Sequence, residues 1–168
     1  AQAMGGIRER AGGPALESAR QKCVEVLVIE RKTFPDENSF ENEIIGELIN
    51  REVELVILAG FMRVLGSSVI KAFPDRIINV HPSLLPAFPG LHAQKQALDY
   101  GVKVAGCTVH FVNEIMDDGR ILFQACVPVE PDDTEESLSA RILKEEHRLL
   151  PQAVARFADT CRRGRCFS

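Results

Sequence analysis

The sequence predicts an α/β domain, three layers built on a mostly parallel sheet. Three observations carry that expectation. Strand-like runs alternate with helical periodicity in the first half of the chain, and the later strands follow each other more closely. Leu55 to Ala59 (L-V-I-L-A) is continuously apolar, as a strand covered on both faces is. A further run, Ile77-Ile78-Asn79-Val80-His81, ends abruptly at Pro82, with Pro86, Pro89 and Gly90 behind it. Proline continues neither a ladder nor a helix, so the strand must stop near His81. A length of 168 residues suits a single domain, 1–168, with a sizeable core.

Taken in order, residues 1–14 are polar and glycine-rich and read as a flexible or truncated end. Leu16 to Lys22 suits a short helix, and Val24 to Ile29 a strand. Asn38 with Glu41 resembles a capping box. Phe40, Ile44, Leu48 and Ile49 then recur at helical spacing, which predicts a helix over 39–51. Gly60 ends the apolar strand, and a loop carries Arg63. Ser67 caps a short helix that finishes before Pro74. Leu91 to Tyr100 predicts a helix closed by Gly101. Thr108 to Val112 is a β-branched strand, Asn113 to Gly119 an acidic turn, and Ile121 to Val129 a strand broken by Pro128. Asp133 and Glu136 open a final helix with Leu138, Ile142, Leu149 and Leu150 on its apolar side. Pro151 should kink or restart it.

The totals narrow the function. Net charge is −4 without a long basic stripe, which argues against nucleic acid. Arg162, Arg163 and Arg165 read as a solvated tail. The five cysteines are odd in number and lack a C-x-x-C pair, so neither a disulfide framework nor a zinc knot is expected. A reducing cytoplasm fits. No signal peptide and no membrane-spanning apolar run is seen.

The chemistry gathers at the end of the N-V-H strand. Asn79 and His81 stand two residues apart on extended backbone, so their side chains leave one face. That face lies at the carboxyl end of a strand, where open α/β sheets bind ligands. Asp117, in a loop directly after a strand, can fold against them. A carboxylate beside an imidazole favours its charged form, and an imidazolium with an amide N–H stabilises a developing oxyanion. His92 and His110 are further candidates. The set suits attack on a carbonyl by an external nucleophile. No G-x-S-x-G elbow and no Cys–His pairing marks a protein nucleophile, and Cys107 reads as strand packing. The spacings of His81, His92, His110 and Asp117 match no known metal set, so no metal is expected. No P-loop or G-x-G-x-x-G follows a strand. Arg63 reads as a surface ion pair or an anion contact, and His147 as a solvent-facing helix residue.

I-I-N-V-H-P-S-L-L-P-A-F-P-G-L-H, G-C-T-V-H-F-V and D-D-G-R-I-L-F-Q together resemble phosphoribosylglycinamide formyltransferases. A-G-F-M-R-V-L and E-E-H-R-L-L-P extend the likeness, which covers roughly Ala15 to Val154. The resemblance implies a Rossmann-like sheet of the formyltransferase type. It implies transfer of a formyl group from 10-formyltetrahydrofolate, the cosubstrate, to the amine of glycinamide ribonucleotide in purine synthesis, by a cytoplasmic monomer or homodimer. Asn79 would hold the formyl oxygen, His81 act as general acid, and Asp117 keep His81 charged and move protons through water. Folate would lie along Met62, Arg63, Val64 and Leu65, against Asn79, and along Asn113, Glu114, Ile115, Met116 and Asp117. Leu143, Lys144, Glu145 and Glu146 would approach the ribonucleotide. The Leu85–Pro86 bond is expected to be cis. The family's opening strand and glycine-rich phosphate cradle have no counterpart before Gly13, and Glu37 stands where the family has an arginine. A formyltetrahydrofolate hydrolase and a truncated, non-catalytic folate-binding protein are the competing readings.

Overall fold

The computed structural model of the chain describes residues 6–8, 21, 25–59 and 65–162. Two compact units emerge. One holds residues up to Glu54 together with Gly66–Ala72, and the other holds Leu55–Leu65 and the chain from Phe73 onward.

In the first unit Gly6–Arg8 (β1) pairs in parallel with Val26–Val28 (β2). β1 corrects two expectations at those three residues, a flexible opening and the lack of an opening strand before Gly13. Its partner is a V-L-V run that supplies a ladder for an otherwise unremarkable G-I-R. The remainder of 1–14 lies outside the described residues, as does the helix expected over Leu16 to Lys22 apart from the helical Gln21. Helix α1 spans Glu37–Asn50, close to the helix expected over 39–51. Its cap is Asp36, not Asn38: the Asp36 carboxylate accepts the Ser39 N–H at 2.7 Å, a bond that holds its pKa below the ordinary value. Helix α2, Ser67–Ala72, begins at Ser67 itself. The buried Glu41 of α1 accepts the Gly66 N–H at 2.7 Å, tying the start of α2 to α1.

The second unit contains a four-stranded sheet in the order β3-β4-β5-β6. Val56–Leu58 (β3) runs parallel to Ile77–His81 (β4). Val104–Phe111 (β5) is antiparallel to β4, and Ile121–Pro128 (β6) is antiparallel to β5. Among the described residues the pairings are therefore mixed rather than mostly parallel. The physical reason at β5–β6 is the link of Val112 to Arg120, too short for the crossover that a parallel pair needs. β3 is also less covered than its apolar run suggested, with Ile57 40% exposed. β5 starts four residues before the expected Thr108, because V-A-G-C pairs with A-C-V-P of β6.

Helix α3, Ala93–Tyr100, starts after His92 and ends at Gly101, whose φ of +82° receives the chain in the left-handed region. Helix α4 runs unbroken through Pro151 from Glu135 to Arg162. Pro151 removes one backbone bond, yet Leu149, Ala153 and Phe157 on either side are buried. Full burial of each large apolar side chain is worth about 1.5–3 kcal/mol, which outweighs that single bond. Leu138, Ile142 and Leu149 of α4 share a core with Cys107, Val109 and Phe111 of β5. Alternation along β5 turns Thr108 and His110 to the opposite face. Among the described residues no helix is long and apolar enough to cross a membrane.

Candidate active site

Register builds the site. Asn79 stands opposite His110 across the β4–β5 ladder, and His81 opposite Thr108. Opposed residues share a face, so these four side chains leave the sheet together, away from the α4 core. Asn79 Nδ2 is 3.3 Å from His110 Nε2, and His110 Nδ1 is 2.8 Å from the Phe111 carbonyl. The carbonyl only accepts, so Nδ1 carries the hydrogen and Nε2 offers its lone pair to the Asn79 amide. That is the neutral ring. Burial accordingly pushes the His110 pKa below its ordinary value, while the Phe111 bond and the Asp117 charge pull it the other way. One Asn79 amide hydrogen is thus fixed on His110, which orients the second.

His81 is buried at the strand's end. Its Nε2 donates toward the Phe88 carbonyl at 3.0 Å, and its Nδ1 faces Asp117 Oδ2 at 3.5 Å. Both ring nitrogens thus face oxygens that only accept. Asp117 Oδ1 stands 3.8 Å from His110 Nε2, so one carboxylate lies between two imidazoles. The Gly90 N–H donates to Asp117 Oδ2 at 2.8 Å and ties the proline loop to the acidic turn. Asp117 holds φ at +55°. The turn after it depends on Gly119, where any Cβ would run into the Phe111 carbonyl. The Leu85–Pro86 bond is cis.

The three residues singled out from sequence, Asn79, His81 and Asp117, therefore do meet. His110, a further candidate from sequence, is the fourth member of the cluster. The signal was present: T-x-H in β5 mirrors N-x-H in β4, and pairing the two strands brings them together. His92 is exposed, with its nearest carboxylate at Glu135, 4.0 Å away. Met62, Arg63 and Val64 lie outside the described residues, while Leu65 is half-buried. Asn113, Glu114, Ile115 and Met116 form an exposed loop leading into Asp117, with Ile115 and Met116 showing 64% and 58% of their surface. The Asn113 side chain accepts the Ile115 N–H at 3.0 Å.

Leu143, Lys144, Glu145 and Glu146 lie on α4. Glu145 accepts two bonds from Arg148, and burial raises the Glu146 pKa above its ordinary value. No hydrogen bond among the described residues links this segment to Asn79, His81 or Asp117. His147 is exposed, as a solvent-facing residue should be. Among the described residues no three His, Cys, Asp or Glu side chains group as metal ligands.

What this cluster can do is polarise one carbonyl. The second Asn79 amide hydrogen is one donor for a developing oxyanion, and the His81 ring beside it supplies another when a nitrogen exchanges the Phe88 or Asp117 oxygen for the substrate's.

Comparison with known proteins identifies the family. The Formyl transferase family model matches residues 7–154. A glycinamide ribonucleotide transformylase 1 from Symbiobacterium toebii superposes with a TM-score of 0.90 at 49% identity, covering 92% of this chain and 74% of that one. The phosphoribosylglycinamide formyltransferase of Bacillus subtilis (strain 168) is 42% identical over 149 residues, 89% of this chain and 76% of its own. The trifunctional purine biosynthetic protein adenosine-3 of Drosophila melanogaster is 47% identical over 149 residues, 89% of this chain, and the chain spans only 11% of that protein's length. These likenesses carry the α/β fold with its mixed sheet, and with it the conclusion that the chain belongs to the phosphoribosylglycinamide formyltransferase family.

Proposed function

We propose that the chain, acting as one formyltransferase domain over residues 1–168, transfers a formyl group from 10-formyltetrahydrofolate to the amine of glycinamide ribonucleotide. The observation that carries the reading is the Asp117 carboxylate between His81 and His110, with Asn79 beside them. The substrate amine attacks the formyl carbon, and the carbonyl electron pair moves to oxygen. The Asn79 N–H that His110 does not take receives that negative charge, and a His81 N–H shares it by exchanging the oxygen it faces, at Phe88 or Asp117, for the new oxyanion. The proton released by the attacking nitrogen passes through water to Asp117. The bond from carbon to the folate nitrogen then breaks, that nitrogen takes back through water the proton that Asp117 received, and the carbonyl re-forms on the new amide.

The binding assignment rests on the family likeness. Folate lies along Met62 to Leu65 and against the loop Asn113 to Asp117, and the exposed Ile115 and Met116 of that loop support the reading by offering an apolar surface. Leu143 to Glu146 approach the ribonucleotide. The protein acts in the cytoplasm as a monomer or homodimer.

The test is product analysis with both substrates present. Formylated ribonucleotide, formed in step with deformylated folate, is the expected result. Formate released without any formylated amine would replace this reading with a hydrolase. Folate binding without either product would replace it with a non-catalytic binder.

A further inference from the structure

His81 belongs to a longer cross-strand row. Thr108 stands opposite it on β5, and Gln124 opposite Thr108 on β6. Thr108 is fully buried. Its hydroxyl donates to the Ser83 carbonyl at 2.7 Å and accepts from the Leu85 N–H at 3.0 Å and from Gln124 Nε2 at 3.1 Å. One donor and two lone pairs are all used. Gln124 Nε2 also donates to the Leu85 carbonyl at 2.9 Å.

These bonds seize the residues just after His81, and the loop carries the constraint onward. Ser83 Oγ donates to the Ala87 carbonyl at 2.5 Å, and the Ala87 N–H to the Leu84 carbonyl at 3.0 Å. Phe88 follows with φ at +54°. Its carbonyl is the one that meets His81 Nε2. A bonded route thus runs from β5 and β6 through the loop back to the imidazole.

We propose that Thr108, assisted by Gln124, is a positioning residue for His81. Its hydroxyl sets the loop so that the Phe88 carbonyl holds Nε2 and Nδ1 is left facing Asp117. Packing alone does not call for a hydroxyl here, because valine would fill the same strand position with the same branching. Valine would strand the Ser83 carbonyl and the Leu85 N–H, both of which take their bonds from the hydroxyl. The inference deepens the formyl-transfer reading of the same site and rests on it for its kinetic consequence only.

The experiment uses the full chain labelled with ¹⁵N-histidine, as wild type, Thr108→Val, Thr108→Ser and Gln124→Met. Solvent exchange of the His81 Nε2 proton is followed by NMR, with the His110 Nδ1 proton as internal control. In Thr108→Val the His81 proton should exchange about tenfold faster while His110 is unchanged, and kcat should fall about tenfold with KM within about twofold. Thr108→Ser should restore both. Gln124→Met alters a half-exposed side chain, so it reports even where Thr108→Val does not fold, and it should move His81 the same way by a smaller factor. Unchanged His81 exchange in both substituted forms overturns the proposal, and so does equal loss of protection at both histidines. A wild type with no formyl transfer, but with this exchange pattern across the variants, sinks the proposed function alone and supports the positioning role.

Discussion

Asp117→Asn removes a charge and little else. Asparagine tolerates the left-handed φ of +55° at this position better than alanine, and its amide oxygen can still accept the Gly90 N–H. What disappears is a carboxylate 3.5 Å from His81 Nδ1, in a pair whose side chains are 7% and 10% exposed. At that separation Coulomb's law gives about 5 kcal/mol for an effective dielectric of 20 and about 1 kcal/mol in water. A pair this sheltered belongs nearer the first figure. Each 1.4 kcal/mol is a factor of ten, so kcat should fall by about two to three decades, within the range of general acid catalysis. Folate should bind nearly as before, because the same loop backbone remains in place. The assay pairs initial rates of formylated product with calorimetric titration of a non-reactive folate analogue. A variant that turns over within about threefold of wild type would refute the role given to the carboxylate.

Other outcomes follow from the same structure. Asn79→Ala should lower kcat by about two to three decades, as loss of one oxyanion donor does, with KM nearly unchanged; a rise in KM alone would point to ground-state binding instead. Asp133 is held well below the usual carboxylate range by bonds from Arg141, Ser137 and the Glu130 N–H. A depressed carboxylate contributes stability above its unfolded pKa of about 3.9 and loses it as pH falls through the folded value. Asp133→Asn should therefore lower Tm by a steady amount from pH 7 down to about 4, with the gap closing below that; a gap that widens in acid contradicts this. Burial pushes the Cys107 thiol up to about 12, whereas Cys126 and Cys161 are exposed. Maleimide at neutral pH should label Cys126 and Cys161 and spare Cys107 in the native protein, as peptide mass spectrometry would read; prompt labelling of Cys107 would contradict its place in the core.

Particular residues show how far sequence reaches here. The N-V-H-P end of β4 was legible because branched apolar residues make a strand and proline stops it. The meeting with Asp117 was legible only as a possibility, since its turn is set by Gly119 and a bond from Gly90 that lie far apart in sequence. Helix α1 was found by periodicity, yet its cap fell to Asp36, as several polar residues there compete for the role. The start of β5 at Val104 is not legible because Ala105, Gly106 and Cys107 are buried in succession and so lack the alternation of a half-buried strand. The antiparallel pairings, the role of His110 and the Thr108–Gln124 pin all depend on register, which no local pattern in those strands specifies.

The most direct measurement is a crystal structure of the chain with glycinamide ribonucleotide and a non-transferable formyl-folate analogue. The formyl oxygen should lie within about 3.2 Å of both Asn79 Nδ2 and a ring nitrogen of His81, with the amine facing the formyl carbon. An ordered complex with that oxygen turned away from both side chains, or with the ribonucleotide amine on the far side of the sheet, would contradict the chemistry assigned to this cluster.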